Sequence, residues 1–240
     1  MQNTADITAI VLCGGLGTRL RSVVNDVPKP MVEVADKPFL EYIIDYLINQ
    51  GVEKIVLAVS YRKEQIIEHF GKSFKGVAIH YSVETEPLGT GGAIKQALEE
   101  NVNLADGETL VVNGDTFVEY QLDDMLNEIN VRNSDIVFTL KHMSDTSRYG
   151  RITHDNCLIT GFEEKKSGVG GYINAGVYLV KNNILSKLPE KSKFSFEQDF
   201  LEKSISCNCM SGVITSGYFI DIGIPNDYKK AQEDFKSGFN

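Results

Sequence analysis

The sequence predicts an α/β fold: a mostly parallel sheet flanked by helices on both faces, in three layers. Three observations predict it. Short β-rich runs alternate with stretches of helical spacing through the first half of the chain. The length, 240 residues, lies within the range of one α/β domain. No Pro/Gly/Ser-rich linker divides the chain, and it has no internal repeat.

The elements follow in order. Ala9-Ile10-Val11-Leu12 reads as a buried strand that ends in glycines. Phe39 to Gln50 carries Leu40, Ile43, Ile44, Leu47 and Ile48 at helical spacing, and Gly51 supplies the stop. Lys54 to Val59 is a second strand, Lys63 to Phe70 a short helix stopped by Gly71, and Val77 to Val83 a third strand. Gly92 to Glu100 is a helix, and Thr109 to Val112 a fourth strand leading into Asn113-Gly114-Asp115. The second half is richer in β-structure. Ile136 to Leu140, Cys157 to Phe162 and Val177 to Val180 read as strands, Phe196 to Lys203 and Asn226 to Phe235 as helices.

Composition narrows the partners. The 24 basic and 33 acidic residues give a formal charge of −9, and no long Lys/Arg run is present. Nucleic acid and anionic membranes are therefore not expected partners, and any phosphate must be held by a few placed cations and backbone amides. Cys13, Cys157, Cys207 and Cys209 make no CxxC pair, and they read as reduced thiols of a cytoplasmic protein. Met1 to Thr8 lacks the basic and apolar segments of a signal peptide. No apolar run approaches the roughly 20 residues of a membrane span. A homo-oligomer is compatible with the sequence, which leaves the oligomeric state open.

Three constellations carry chemistry. The first is Gly14-Gly15-Leu16-Gly17-Thr18-Arg19-Leu20, directly after the first strand. Glycines there let the backbone approach a phosphate and offer free amides to it. A dinucleotide fingerprint would need Gly where Leu20 stands, and the Gly-Lys-Ser/Thr of a Walker loop is missing. Pro28 and Pro30 then hold the backbone around Lys29 extended and fix where its ammonium points. The second is a pair of separated aspartates. Asp115 follows a buried strand, where a carboxylate faces the ligand crevice of an open sheet. Asp221 stands among Phe219, Ile220 and Ile222, where an unpaired carboxylate is costly. Mg²⁺ would satisfy both; a turn-capping role for Asp115 and an ion pair for Asp221 are the plainer readings. The third is Phe162-Glu163-Glu164-Lys165 with Asn174-Ala175-Gly176-Val177-Tyr178 behind it, where a solvated charge run is the alternative for Glu164 and Lys165.

Together these segments resemble the sugar-1-phosphate nucleotidyltransferase family, over nearly the whole chain from Ile7 to Tyr228. The resemblance implies a Rossmann-like, GT-A-like fold in a single domain, 1–240, with a nucleotide-binding half (about 1–120) and a sugar-phosphate-binding half (about 121–240). In that family the GGxGTRL run wraps the triphosphate, which puts Leu12, Gly14, Gly15, Gly17, Thr18 and Arg19 at the nucleotide. Arg19 and Lys29 match the cations that stabilise the reacting phosphates, and Asp115 and Asp221 match the metal aspartates. Glu164, Lys165, Asn174 and Gly150 match the sugar-phosphate side, and Phe196 to Asp199 resembles a further acidic segment there. The family usually has Ala at Cys13, Pro at Lys166 and Trp at Phe219. LCGGLGTRLRSV, PLGTGGAI, FEEK and YFIDIGIPNDY are most similar to the branch of guanylyltransferases acting on heptose 1-phosphates.

The implied reaction joins a sugar 1-phosphate to a nucleoside triphosphate, with Mg²⁺ as cofactor and pyrophosphate as second product. A phosphomonoester is mostly dianionic near neutral pH and needs no general base, in keeping with His69, His80, His142 and His154 lying outside every motif. Other readings are a mannose 1-phosphate guanylyltransferase, a UTP- or dTTP-using enzyme, a metal-dependent glycosyltransferase and an inactive nucleotide-sugar sensor. Glu84-Thr85-Glu86-Pro87-Leu88-Gly89-Thr90 resembles the base-recognition loop. Uridylyl- and thymidylyltransferases commonly carry Gln at the position of Glu84. A carboxylate only accepts, which suits the N1–H and 2-amino group of guanine, so GTP is the expected donor. A solvated loop residue is the alternative for Glu84.

Overall fold

The computed structural model describes residues 4–15, 17, 20, 27–101, 107–163 and 168–238. The first half contains β1 (Thr8–Leu12), β2 (Glu33–Val34), β3 (Lys37–Pro38), α1 (Phe39–Asn49), β4 (Lys54–Val59), α2 (Lys63–Phe70), β5 (Ser73–Phe74), β6 (Val77–Val83), α3 (Gly89–Glu100), β7 (Glu108–Asn113) and β8 (Thr116–Val118). The second half contains α4 (Leu122–Val131), β9 (Ile136–Met143), β10 (Arg151–Asp155), β11 (Leu158–Glu163), β12 (Gly171–Lys181), α5 (Glu202–Ser204), β13 (Met210–Thr215), β14 (Phe219–Asp221) and α6 (Pro225–Ser237).

A ten-stranded sheet runs through both halves in the order β10-β11-β13-β9-β12-β7-β1-β4-β6-β5. Parallel pairing joins β7, β1, β4 and β6, the strands separated by helices. The second half joins by antiparallel pairing of β12 with both β7 and β9, so the whole sheet is mixed. The central strands are buried along nearly their whole length, and their side chains alternate between two cores. Ala9, Val11, Ile55 and Leu57 point into one core cluster, with Phe39, Ile44, Leu126 and Phe235 from α1, α4 and α6. Ile10, Val56, Ala58 and Val111 point into a second, with Ala93, Ile94 and Ala97 from α3 and Phe196 and Phe200. Helices therefore cover both faces, and the layers are three.

Two elements differ from the sequence reading in an informative way. The α3 helix begins at Gly89, three residues before Gly92. Glycine's poor helix propensity hides that first turn, which gains partners outside the helix: Gly91 N–H donates to Phe194 O at 3.0 Å, and Phe194 N–H to Leu88 O at 2.9 Å. Phe196–Leu201 is one wide π-helical turn continuing into α5, capped by Ser195 Oγ, which accepts from Gln198 N–H. Among the described residues no helix is long and apolar enough to cross a membrane.

Candidate active site

The carboxyl ends of β1, β6 and β7 open into a cavity of about 360 Å³, where open α/β sheets bind ligands. Leu12, Gly14, Gly15, Glu84, Gly89 and Thr90 line it, together with Lys29 and Asp115. Gly17 has a positive φ of 58° and lies against the Lys29 stem. Thr18 and Arg19 lie outside the described residues, as do Glu164 and Lys165.

Glu84 is not a solvated loop residue. It is 8% exposed. Its Oε2 accepts from Leu88 N–H at 2.9 Å, and its own N–H donates to Val59 O at 2.9 Å. Its Oε1 faces Gly14, where a Cβ would force this carboxylate to shift; glycine lets the β1 loop lie directly against it. Burial raises the Glu84 pKa above the ordinary glutamate value, and the Leu88 N–H opposes that in part.

A second cavity, of about 210 Å³, adjoins the first and shares Lys29, Asn113 and Asp115 with it. Lys29 stands at the junction. Its short 3₁₀ turn, Lys29–Met31, follows the extended Pro28, and only 8% of its side chain is exposed. Its Nζ lies 2.6 Å from Asp115 Oδ2 and 3.5 Å from Asp221 Oδ1. The β14–β8 ladder sets Asp221 opposite Thr116, directly beside Asp115. Two carboxylates from distant parts of the sequence thus meet on one ammonium.

The remaining contacts hold Asp221 in place. Gly223 N–H donates to its Oδ1 at 2.7 Å, and Arg148 Nη2 donates to its Oδ2 at 3.3 Å. The same guanidinium pairs with Asp227 in the first turn of α6. Tyr149 lines the same cavity as Asp221; burial first, and the Asp221 charge second, raise its pKa far above that of a free tyrosine. Among the described residues no group of three or more His, Cys, Asp or Glu side chains could hold a metal by itself. Two carboxylates opening on a cavity are, however, the donor set Mg²⁺ takes when substrate phosphates and water complete its shell. Asp115, with 38% of its side chain exposed, is open to such a role.

Asn174 lines the smaller cavity with Tyr149 and Phe219. A break in register between Asn174 and Tyr178 of β12 turns it there. Gly176, at φ 80°, makes the break, and a Cβ on it would stand 2.6 Å from Asn113 Nδ2. Gly150 is exposed and lines neither cavity; its neighbour Tyr149 does. The grip of Arg148 on Asp221 and the presence of Asn113 at the junction were not legible as site features, although Asn113 directly precedes Gly114-Asp115 and Arg148 stands two residues before Gly150.

The nucleotidyl transferase family model matches residues 8–238. The chain is 46% identical over 221 residues to the D-glycero-alpha-D-manno-heptose 1-phosphate guanylyltransferase of Campylobacter jejuni subsp. jejuni serotype O:2, spanning 92% of this chain and 96% of that protein. It is 44% identical over 232 residues to the protein of the same name from Aneurinibacillus thermoaerophilus, spanning 95% and 98%. A crystal structure of HddC from Yersinia pseudotuberculosis complexed with GMP-PN superposes with a TM-score of 0.84 at 39% identity, covering 96% of this chain and all of that one.

Proposed function

The chain belongs to the nucleotidyl transferase family, and from that premise we propose that it joins D-glycero-α-D-manno-heptose 1-phosphate to GTP, forming GDP-heptose and pyrophosphate. The observation that carries this reading is the meeting of two cavities at Lys29, Asn113 and Asp115. The larger, under the glycine loop, takes the nucleotide. The smaller, with Asn174 and Tyr149, takes the sugar phosphate. The reacting phosphates then meet at the junction, where a cation and two carboxylates stand.

In this mechanism an oxygen of the sugar phosphate attacks the α-phosphorus of GTP in line. A new P–O bond forms, the bond to the β-phosphate bridge breaks, and pyrophosphate leaves. The nucleophile is already ionised, so no side chain must remove a proton. Asp115 and Asp221 would hold Mg²⁺, which when bound supplies positive charge to the phosphate oxygens. Lys29 adds a fixed cation at the junction, and Arg19 and Lys165 add charge on the nucleotide and sugar-phosphate sides. Catalysis is then positioning and charge neutralisation.

The test is a matrix of five nucleoside triphosphates against several sugar 1-phosphates, read by pyrophosphate release. The expected best pair is GTP with the heptose 1-phosphate. No pyrophosphate from any pair would overturn the reading and leave a glycosyltransferase or a sensor in its place.

Glu84 gives the base its own prediction. One oxygen is anchored by Leu88 N–H and the other faces Gly14 over the larger cavity. A carboxylate held this way can accept from N1–H and the 2-amino group of guanine. Each charge-assisted hydrogen bond contributes roughly 1.5–3 kcal/mol, about ten- to a hundredfold in selectivity. Glu84→Gln is expected to shift preference from GTP toward UTP or dTTP by about that factor in kcat/KM. Because the raised Glu84 pKa brings protonation in above the usual glutamate range as pH falls, the KM for GTP should rise there in the wild type and not in Glu84→Gln. A wild type that prefers UTP or dTTP sinks the guanine assignment and leaves the family assignment standing.

A further inference from the structure

Behind the walls of the two cavities, three chains of hydrogen bonds end on one carboxylate. Glu197 Oε2 accepts from Thr90 Oγ1 at 2.8 Å and from Ser195 Oγ at 2.9 Å; its Oε1 accepts from the Tyr178 hydroxyl at 3.0 Å. Each of those hydroxyls accepts in turn. Thr90 accepts from Phe196 N–H at 2.8 Å, Ser195 from Gln198 N–H at 3.2 Å, and Tyr178 from Asn174 Nδ2 at 2.6 Å. Every bond therefore runs toward Glu197.

An ionised carboxylate has no proton to give, so Glu197 dictates the direction of all three chains. The consequence reaches Asn174. Because Tyr178 donates to Glu197, its oxygen is left to accept from Asn174. On the other side of that amide, Gly176 N–H donates to Asn174 Oδ1 at 2.9 Å. An amide can in principle sit either way round, and here both ends are dictated. Among the described residues one Nδ2 hydrogen has no acceptor, and it lies beside the smaller cavity, which Asn174 lines. Tyr178, 1% exposed, keeps its proton, since burial and the Glu197 charge both push its pKa up. On the opposite wall Thr90 lines the larger cavity, and its hydroxyl is spent on the same carboxylate. The segment around Phe194 reinforces this link through its backbone bonds to Leu88, Gly91 and Gly92.

We propose that Glu197 is a positioning residue that sets both substrate chambers at once, through Tyr178 on Asn174 and through Thr90 on the first turn of α3. The inference rests on the assignment of the two cavities to the nucleotide and the sugar phosphate. A glutamine in its place must present an NH₂ where one of the hydroxyls now donates, and so breaks at least one chain.

The experiment compares Glu197→Gln, Tyr178→Phe and the wild type by steady-state kinetics with GTP and the heptose 1-phosphate, and by the side-chain amide NMR signals of Asn174. Glu197→Gln is expected to raise at least one of the two KM values about tenfold, the scale of one hydrogen bond, with a smaller change in kcat. Tyr178→Phe is expected to raise the sugar-phosphate KM by a similar factor and leave the GTP KM in place. In both variants the Asn174 amide signals should shift. A folded Glu197→Gln protein with both KM values unchanged overturns the proposal. If the wild type releases no pyrophosphate with any substrate pair, the functional reading fails, and the amide signals decide this inference alone: unchanged signals overturn it. Should Glu197→Gln not fold, Tyr178→Phe, which removes one hydroxyl, decides it by the same signals.

Discussion

Asp115→Asn and Asp221→Asn are each expected to lower kcat by at least about a thousandfold, since the charge that a metal supplies to a phosphoryl transition state amounts to several kcal/mol. Both substitutions keep the shape of the side chain and remove one negative charge from the junction of the two cavities. In Asp115→Asn the amide oxygen can still accept a hydrogen bond from Lys29 Nζ, which lies 2.6 Å from Asp115 Oδ2 in the wild type, so the fold should survive. Asp221→Asn keeps the acceptor for Gly223 N–H and weakens the hold of Arg148. The measurements are turnover across a Mg²⁺ titration and direct Mn²⁺ binding to the protein by electron paramagnetic resonance. Wild-type turnover in either variant, or in the wild type with EDTA, would remove the metal from the mechanism. Wild-type Mn²⁺ affinity in both variants would remove these two residues from its site.

Lys29→Ala is expected to lower kcat by about a hundred- to a thousandfold, the usual range for one preorganised group facing developing charge. The KM for GTP should change less, because a cation acting on the transition state works in kcat. The structure adds a second expectation. Lys29 is the ammonium on which Asp115 and Asp221 converge, and its removal sets two carboxylates side by side with less compensation. Added Mg²⁺ should therefore raise the melting temperature of Lys29→Ala more than that of the wild type, by mass action on the folded state. A variant with normal kcat and raised KM would make Lys29 a binding group only, and equal Mg²⁺ stabilisation would separate its charge from that of the carboxylates.

In the first half β1, α1, β4, α2, β6 and β7 were legible because each is dominated by local signals. β4, α2 and β6 have the bounds that their apolar runs and glycine stops predict. Elsewhere the local signal is weaker. The α4 helix has Leu122, Met125, Leu126 and Ile129 at helical spacing, but no glycine or proline marks either of its ends. β8 and β14 are three residues each, too short for periodicity to show, and only their mutual pairing makes them strands. The first turn of α3 is built from glycines, whose intrinsic preference opposes a helix, and the backbone of Phe194 supplies what propensity does not.

The sequence by itself determined the family, the glycine loop after β1, and the identities of the groups that carry charge: Lys29, Asp115, Asp221 and Glu84. Those are short segments whose residue types and spacing are constrained locally. The tertiary structure alone decided which of them meet. The ladder between β8 and β14 brings Asp221 beside Asp115, the β1 loop closes on Glu84 because position 14 is glycine, and Arg148 reaches Asp221 and Asp227 from a third segment. It also decided that Thr90 and Asn174, one on each side of the site, share a carboxylate at Glu197. The physical reason is that a site of this kind is made of distances between residues far apart in the chain, and those distances are set by sheet order and register, which no local pattern records.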